Sequence, residues 1–493
     1  MILQAPASLV NFFRQCVSDD SRVAPRRVLK ALRPLIAGLV LVTNPRRSLT
    51  AVGGAVASGR RHKSTVSRFL KRKDFRSRDL HWEAVERVLE RLAPTTSARA
   101  RRRDWLLALD GTATQRGAHT QIKGAILTDR SSRTRRRKRG ASRKRAPGDK
   151  PRSPKKQRKT KYHTFLLASL TTHEGVRVPL PRHTCDPKDF KRHGRPKSVK
   201  DTQIDLAKLL IKRVKKILPA GIRLVVVADA YFECEKLYSL AQREDFVLIT
   251  PTDSSRCFAD ETTPSKSNGH RIWNRGRHFP PDSFSRLDLR RGSEDTACFR
   301  RHSARQSGPK DRRTYWLRHE SRTVAKLGAV GIVYSWKTPI YNPKPNFRKK
   351  GFKILLCSDP TWAGEKVVEY YECRWTAIEI LIRELKQHLG FGHYTGRSLE
   401  ALERWIDLVL MSFLYLEVER HRLLTEAAPP SVRERAASAR TLGMQELVRA
   451  EANTELMRII TESYGSERKK RLVKGFFAEV IANSDASQVN SRP

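Results

Sequence analysis

Two kinds of hydrophobic pattern divide this chain. Short apolar runs without helical spacing predict strands at Trp105-Leu-Leu-Ala-Leu-Asp110-Gly-Thr, Tyr162-His-Thr-Phe-Leu-Leu-Ala-Ser-Leu, Gly175-Val-Arg-Val-Pro-Leu, Ile222-Arg-Leu-Val-Val-Val-Ala-Asp229 and Phe246-Val-Leu-Ile-Thr. The fourth run is continuous enough to be buried on both faces. Ile204, Ala207, Ile211, Val214 and Leu218 fall at helical spacing and predict a helix ending at Pro219-Ala-Gly221, and a second helix is expected over about 232–243. Asp110 and Asp229 each stand where an apolar run stops, so each carboxylate is expected to be exposed at a strand's C-terminal end. Asp-Gly is also a plain turn dipeptide, and Asp110 alone says little.

The same patterning sets the outer organisation. Residues 1–100 are rich in apolar positions at helical spacing and are read as a helical DNA-binding domain. Within it, residues 48–72 form a candidate helix-turn-helix whose second helix offers Arg68 and Lys71 to DNA; an ordinary helical hairpin with a wet basic face is the competing reading. Residues 101–250 carry the strand and helix series above, interrupted over 130–161 by a Lys- and Arg-rich tract with Pro, Gly and Ser that cannot bury apolar surface and is expected to be a disordered loop. Residues 251–350 read as an inserted, mostly β subdomain, where Trp273, Trp316 and Trp336 either fill a small core or stack on an unpaired base. Residues 351–420 resume the core with a helix-patterned segment, and 421–493 are helical and charged.

The formal net charge of +50 over 493 residues changes the picture from a generic α/β chain to one with a polyanionic partner. The apolar run from Leu35 to Val42 is too short to span a bilayer, so no membrane partner is expected, and an intracellular setting follows. Seven scattered cysteines without a C-x-x-C pair read as free thiols, neither a disulfide framework nor a zinc knuckle.

Candidate chemistry enters with the segment Tyr371-Glu-Cys-Arg374-Trp-Thr-Ala-Ile-Glu379-Ile-Leu-Ile-Arg383-Glu-Leu-Lys386. Seven helical steps of about 100° bring Lys386 back onto the face of Glu379. Asp110, Asp229 and Glu379 then form an ordered carboxylate trio. Two Mg²⁺ ions held by such a trio can assist an in-line displacement at a phosphodiester, with Lys386, Arg374 or Arg383 neutralising a nearby phosphate. The plain alternative for Glu379 is a surface pair with Arg383, four residues on.

The order strand, strand, strand, helix, strand, helix, strand resembles a ribonuclease H-like core, in which the first and fourth strands are neighbours. Tyr371, Arg374, Glu379 and Lys386 resemble the Tyr-x2-Arg-x3-Glu-x6-Lys signature of the family-four insertion-sequence DDE transposases, over roughly residues 100–420. Asp110 and Asp229 match that group's first two catalytic aspartates in order and context. The resemblance implies Asp110, Asp229 and Glu379 as metal ligands, with Mg²⁺ as a pair of ions and Mn²⁺ as an alternative. It implies double-stranded DNA as the partner, both transposon inverted repeats and target, with no small-molecule substrate. It further implies cleavage and strand transfer within a homo-oligomeric complex at the nucleoid of a bacterial cytoplasm. A non-catalytic nucleic-acid-binding descendant and a nuclease without strand transfer are the alternatives.

One departure from the signature is structural. Four residues, Trp375-Thr-Ala-Ile, separate Arg374 from Glu379 where the signature has three. On an unbroken α-helix Arg374 would point about 140° away from Glu379, so either a π-bulge near residues 374–378 absorbs the additional residue, which is the expectation here, or Arg374 has lost the family role.

Overall fold

The structure, a computed structural model, describes residues 7–17, 23–42, 49, 51–52, 63–93, 104–116, 126–128, 160–185, 191–192, 195–196, 199–252, 256–259, 271–272, 279–290, 312–336, 352–394, 396, 398–425 and 428–463. The basic tract over 130–161 therefore lies almost wholly outside the described residues, as do Trp273 and most of the first helix of the candidate helix-turn-helix.

The chain is a mixed α/β protein with helices at both ends of a large mixed sheet. Four N-terminal helices come first: α1 (Ala7–Phe12, continued by a π-turn over Phe13–Val17), α2 (Arg26–Leu41), α3 (Lys63–Leu70) and α4 (Ser77–Arg91). The sheet begins with β1 (Asp104–Arg116), β2 (Ile126–Thr128), β3 (Thr160–Thr171), β4 (Arg177–Pro179) and β5 (His183–Thr184). A small hairpin of β6 (Lys191–Arg192) and β7 (Arg195–Pro196) leads to α5 (Val199–Ile217), β8 (Arg223–Val227), α6 (Glu235–Glu244) and β9 (Val247–Pro251).

β1 lies between β3, to which it is antiparallel, and β8, to which it is parallel. β9 then continues parallel to β8. The apolar runs explain this placement. Trp105 to Leu109 and Leu224 to Ala228 are almost wholly buried, as suits central strands covered on both faces. Five consecutive backbone pairings, Asp104 opposite Arg223 through Ala108 opposite Val227, bring the first and fourth runs side by side.

Residues 251–350 contribute β10 (Ser285–Arg290), β11 (Arg312–Val324) and β12 (Gly328–Trp336), which with β13 (Phe352–Cys357) extend the same sheet beyond β9. Trp316 and Trp336 face each other in the β11/β12 register and are buried, Trp336 against the Phe352 ring at 4.4 Å. They are core residues and leave no ring face open for a base to stack on.

Beyond β13 the chain forms α7 (Gly364–Arg374), a π-helical turn over Trp375–Ile380, α8 (Leu381–His388), α9 (Leu399–Thr425), α10 (Pro430–Ser438) and α11 (Thr441–Ser463). Within the 27-residue α9, residues Trp405 to Glu417 are all buried, the pattern of a helix enclosed on every side. It joins the N-terminal helices to the sheet: the Arg404 guanidinium donates to Leu70 O at 2.7 Å and Phe75 O at 3.0 Å, pinning the end of α3 and the turn beyond it. Among the described residues no helix is long and apolar enough to cross a membrane.

Candidate functional site

Asp110 sits within β1, opposite Leu167 of β3, and not at a strand end as the Asp-Gly pair suggested. The strand runs on because β3 pairs with it as far as Arg116, and because Thr112 and Thr114 beyond the glycine are β-branched residues suited to a pleated surface. At Gly111 a Cβ would meet the Gln203 side-chain amide of α5 at 2.8 Å, so a larger residue there would have to displace that flexible side chain. Asp229 lies just past β8, where its Oδ1 accepts the Tyr231 N–H at 2.9 Å and caps a short 3-10 turn over Ala230–Phe232.

Glu379 stands on the π-turn, which packs against β1 and β3. The expected bulge is therefore present, over Trp375–Ile380 between two α-helical stretches. Its consequence is geometric. The wider i→i+5 turn brings residues five apart closer to one face than an α-helix does, and Arg374 Nη2 donates to Glu379 Oε1 at 3.1 Å. Glu379 thus pairs with Arg374, and the alternative surface pair with Arg383 is not seen; Arg383 is exposed.

Strand register sets two of the carboxylates side by side: Ala108 pairs with Val227, and Asp110 and Asp229 each lie two residues further on. Burial, then the negative charges of Glu379 and Asp229, push the Asp110 carboxyl up to about 6, against the opposing pull of Arg374 and the Gly111 backbone. Lys386 faces the same place: its Nζ donates to Thr112 Oγ1 at 2.7 Å. Desolvation lowers the Lys386 pKa, while Asp110 and Glu379 oppose that change. Tyr371 is buried beneath Arg374, whose guanidinium lies 5.8 Å from the ring centroid, and Lys353 Nζ lies 5.1 Å from that ring. Burial raises the Tyr371 pKa, and Asp229 is among the charges it feels. Asp110, Asp229, Tyr371, Arg374, Glu379 and Lys386 therefore belong to one neighbourhood, whereas Arg68 and Lys71 lie on α3 and just past its end, both exposed.

Sequence reasoning missed three partners. Thr112 was legible as Asp110's same-face neighbour two residues along the strand. Trp375, 46% exposed on the π-turn beside Arg374, had no distinguishing signal. The third is a buried ionic group: Arg177 of β4 bonds Glu384 of α8 at 3.3 Å and Glu417 of α9 at 2.7 Å, and Arg420 bonds Glu417 at 2.9 Å. Against the opposing effect of burial, the two guanidinium groups hold the Glu417 carboxyl down at about 2.

In donor chemistry the trio suits a hard divalent cation, since all three groups are carboxylates and a cation among them would relieve the like-charge repulsion on Asp110. Among the described residues no three His, Cys, Asp or Glu side chains are spaced to ligate a single ion, in keeping with Glu379 facing Arg374 and Asp229 capping its turn. No protein-family model matches the chain, and no curated protein matches it.

Proposed function

We propose that this chain is a DNA transposase that cleaves strands at transposon ends and joins them to target DNA, on a ribonuclease H-like core. The observation that carries the proposal is geometric: Ala108 of β1 pairs with Val227 of β8, Asp110 and Asp229 each lie two residues further on, and the π-turn packed against β1 holds Glu379 against Arg374 while Lys386 bonds Thr112. The sheet order supports the same reading: β1 lies antiparallel to β3 and parallel to β8, with β9 following β8.

In this proposal Asp110, Asp229 and Glu379 hold the divalent ions, Mg²⁺ or Mn²⁺. When bound, these supply charge neutralisation and activation of the attacking oxygen, water or a DNA 3′-hydroxyl. Lys386, steadied by Thr112, offers a point charge to a phosphate, and Arg374 offers a planar fork over the buried Tyr371 ring. Arg68 on α3 and Lys71 just past its end, with the exposed Arg383 of α8, contribute phosphate contacts that hold the duplex. The working unit is a homo-oligomer assembled on DNA ends.

The test uses a supercoiled plasmid carrying the DNA that flanks the coding region, incubated with Mg²⁺ and either the purified protein or Asp229→Ala. Nicking by the wild type and loss of at least about 10³-fold in the variant are expected. Equal nicking by both proteins, or none by either, would end the catalytic reading; cleavage without joined products would leave a simple nuclease.

A further inference from the structure

Arg374 does more than border the carboxylates. Its Nη2 lies 3.1 Å from Glu379 Oε1, it attracts Asp110 as well, and its Nη1 is buried without a hydrogen-bond partner. The guanidinium is thus a positive charge already lodged among acids that would otherwise repel one another. Two cations cannot share such a position without strong mutual repulsion. The π-turn makes the arrangement possible, since on a regular helix a residue five positions away faces elsewhere.

We propose that Arg374 is a resident counter-cation, which a divalent ion must displace from Glu379 before the site is loaded, freeing the guanidinium to turn toward a DNA phosphate. The proposal rests on the reading of Asp110, Asp229 and Glu379 as the ion-holding set. It makes loading and DNA binding cooperative. An anionic phosphate that draws Arg374 away from Glu379 strengthens ion binding, and by linkage the ion strengthens phosphate binding to the same degree. The free protein then carries a weakly loaded site, and its cutting power is kept for the DNA complex.

The test is a Mn²⁺ titration of the full chain without DNA, following free Mn²⁺ by electron paramagnetic resonance, for wild type, Arg374→Gln, Asp229→Ala and the double variant. Arg374→Gln is expected to bind Mn²⁺ about tenfold more tightly than wild type, and Asp229→Ala to abolish that binding in both backgrounds. Equal or weaker binding by Arg374→Gln, with Asp229→Ala still abolishing it, overturns the counter-cation role and leaves the ion-holding set standing. Mn²⁺ binding indifferent to Asp229→Ala overturns the reading beneath it, and the proposal with it. A second measurement needs no variant: phenylglyoxal labelling of Arg374, read by peptide mass spectrometry, should speed up several-fold in wild-type protein when Mn²⁺ is added. An unchanged rate under conditions where Mn²⁺ is bound overturns the displacement.

Discussion

At the scale of single residues, Asp110 is where the arrangement costs stability. Its carboxyl is pushed from an ordinary value of 3.8 up to about 6 by burial and by the charges of Glu379 and Asp229. A carboxyl raised in the folded state supports folding fully below about pH 4, and that support is lost as pH rises through about 6. Asp110→Asn should therefore stabilise the protein in chelator-containing buffer at pH 7.5 by about 1–2 kcal/mol, leave it unchanged near pH 3.5, and eliminate nicking. Thermal melts at the two pH values check this, and a gain of equal size at both would show that repulsion at Asp110 is not its source. Asp110 and Asp229 were singled out because each stands where an apolar run stops, and Glu379 because seven helical steps return Lys386 to its face. The strand order also anticipated that β1 and β8 would be neighbours, whereas the Lys386–Thr112 bond was not legible, because it depends on how the helix bearing Lys386 docks on β1.

At the scale of elements, the π-turn and the buried ionic group decide how the segment bearing Glu379 is held. The bulge was anticipated from the four residues between Arg374 and Glu379 together with the signature, which sets the two on one face, since an α-helix and a shared face are incompatible at that spacing. Deleting Trp375, the exposed residue of the turn, should return the segment to a continuous α-helix with Arg374 and Glu379 four apart. We expect stability within about 1 kcal/mol of wild type, because little buried surface is removed, and Mg²⁺-dependent nicking retained. Circular dichroism, melting and the plasmid assay read the outcome, and an unfolded deletion variant would contradict it. The ionic group was hidden from sequence reasoning because Arg177, Glu384, Glu417 and Arg420 look like ordinary surface charges until β4, α8 and α9 pack together. Arg177→Leu leaves two buried carboxylates without their shared partner and should destabilise by about 3–5 kcal/mol. Urea unfolding measures the loss, and a change below about 1 kcal/mol would mean that the group is dispensable. The strand pattern was read correctly for the central sheet, but Asp110 was misplaced at an end because local turn chemistry yielded to the long β3 partner.

At the scale of the whole molecule, the net charge of +50 is spread across helical ends, sheet and the basic tract over 130–161. Phosphate contacts release counter-ions, so DNA affinity should fall by about 10³-fold or more between 50 and 200 mM salt. Removing residues 130–161 should make the slope of log affinity against log salt shallower; fluorescence anisotropy at several salt concentrations tests this, and an unchanged slope would mean that the tract does not touch DNA. In the proposed mechanism three carboxylates far apart in sequence jointly hold divalent ions. Fe²⁺ with ascorbate and peroxide tests it most directly, because radicals formed at a bound ion cut the nearby chain. Fragments ending close to Asp110, Asp229 and Glu379 together are expected, suppressed by excess Mg²⁺ and lost in Asp229→Ala. Cutting confined to one of the three positions, or cutting that Asp229→Ala leaves intact, would contradict it.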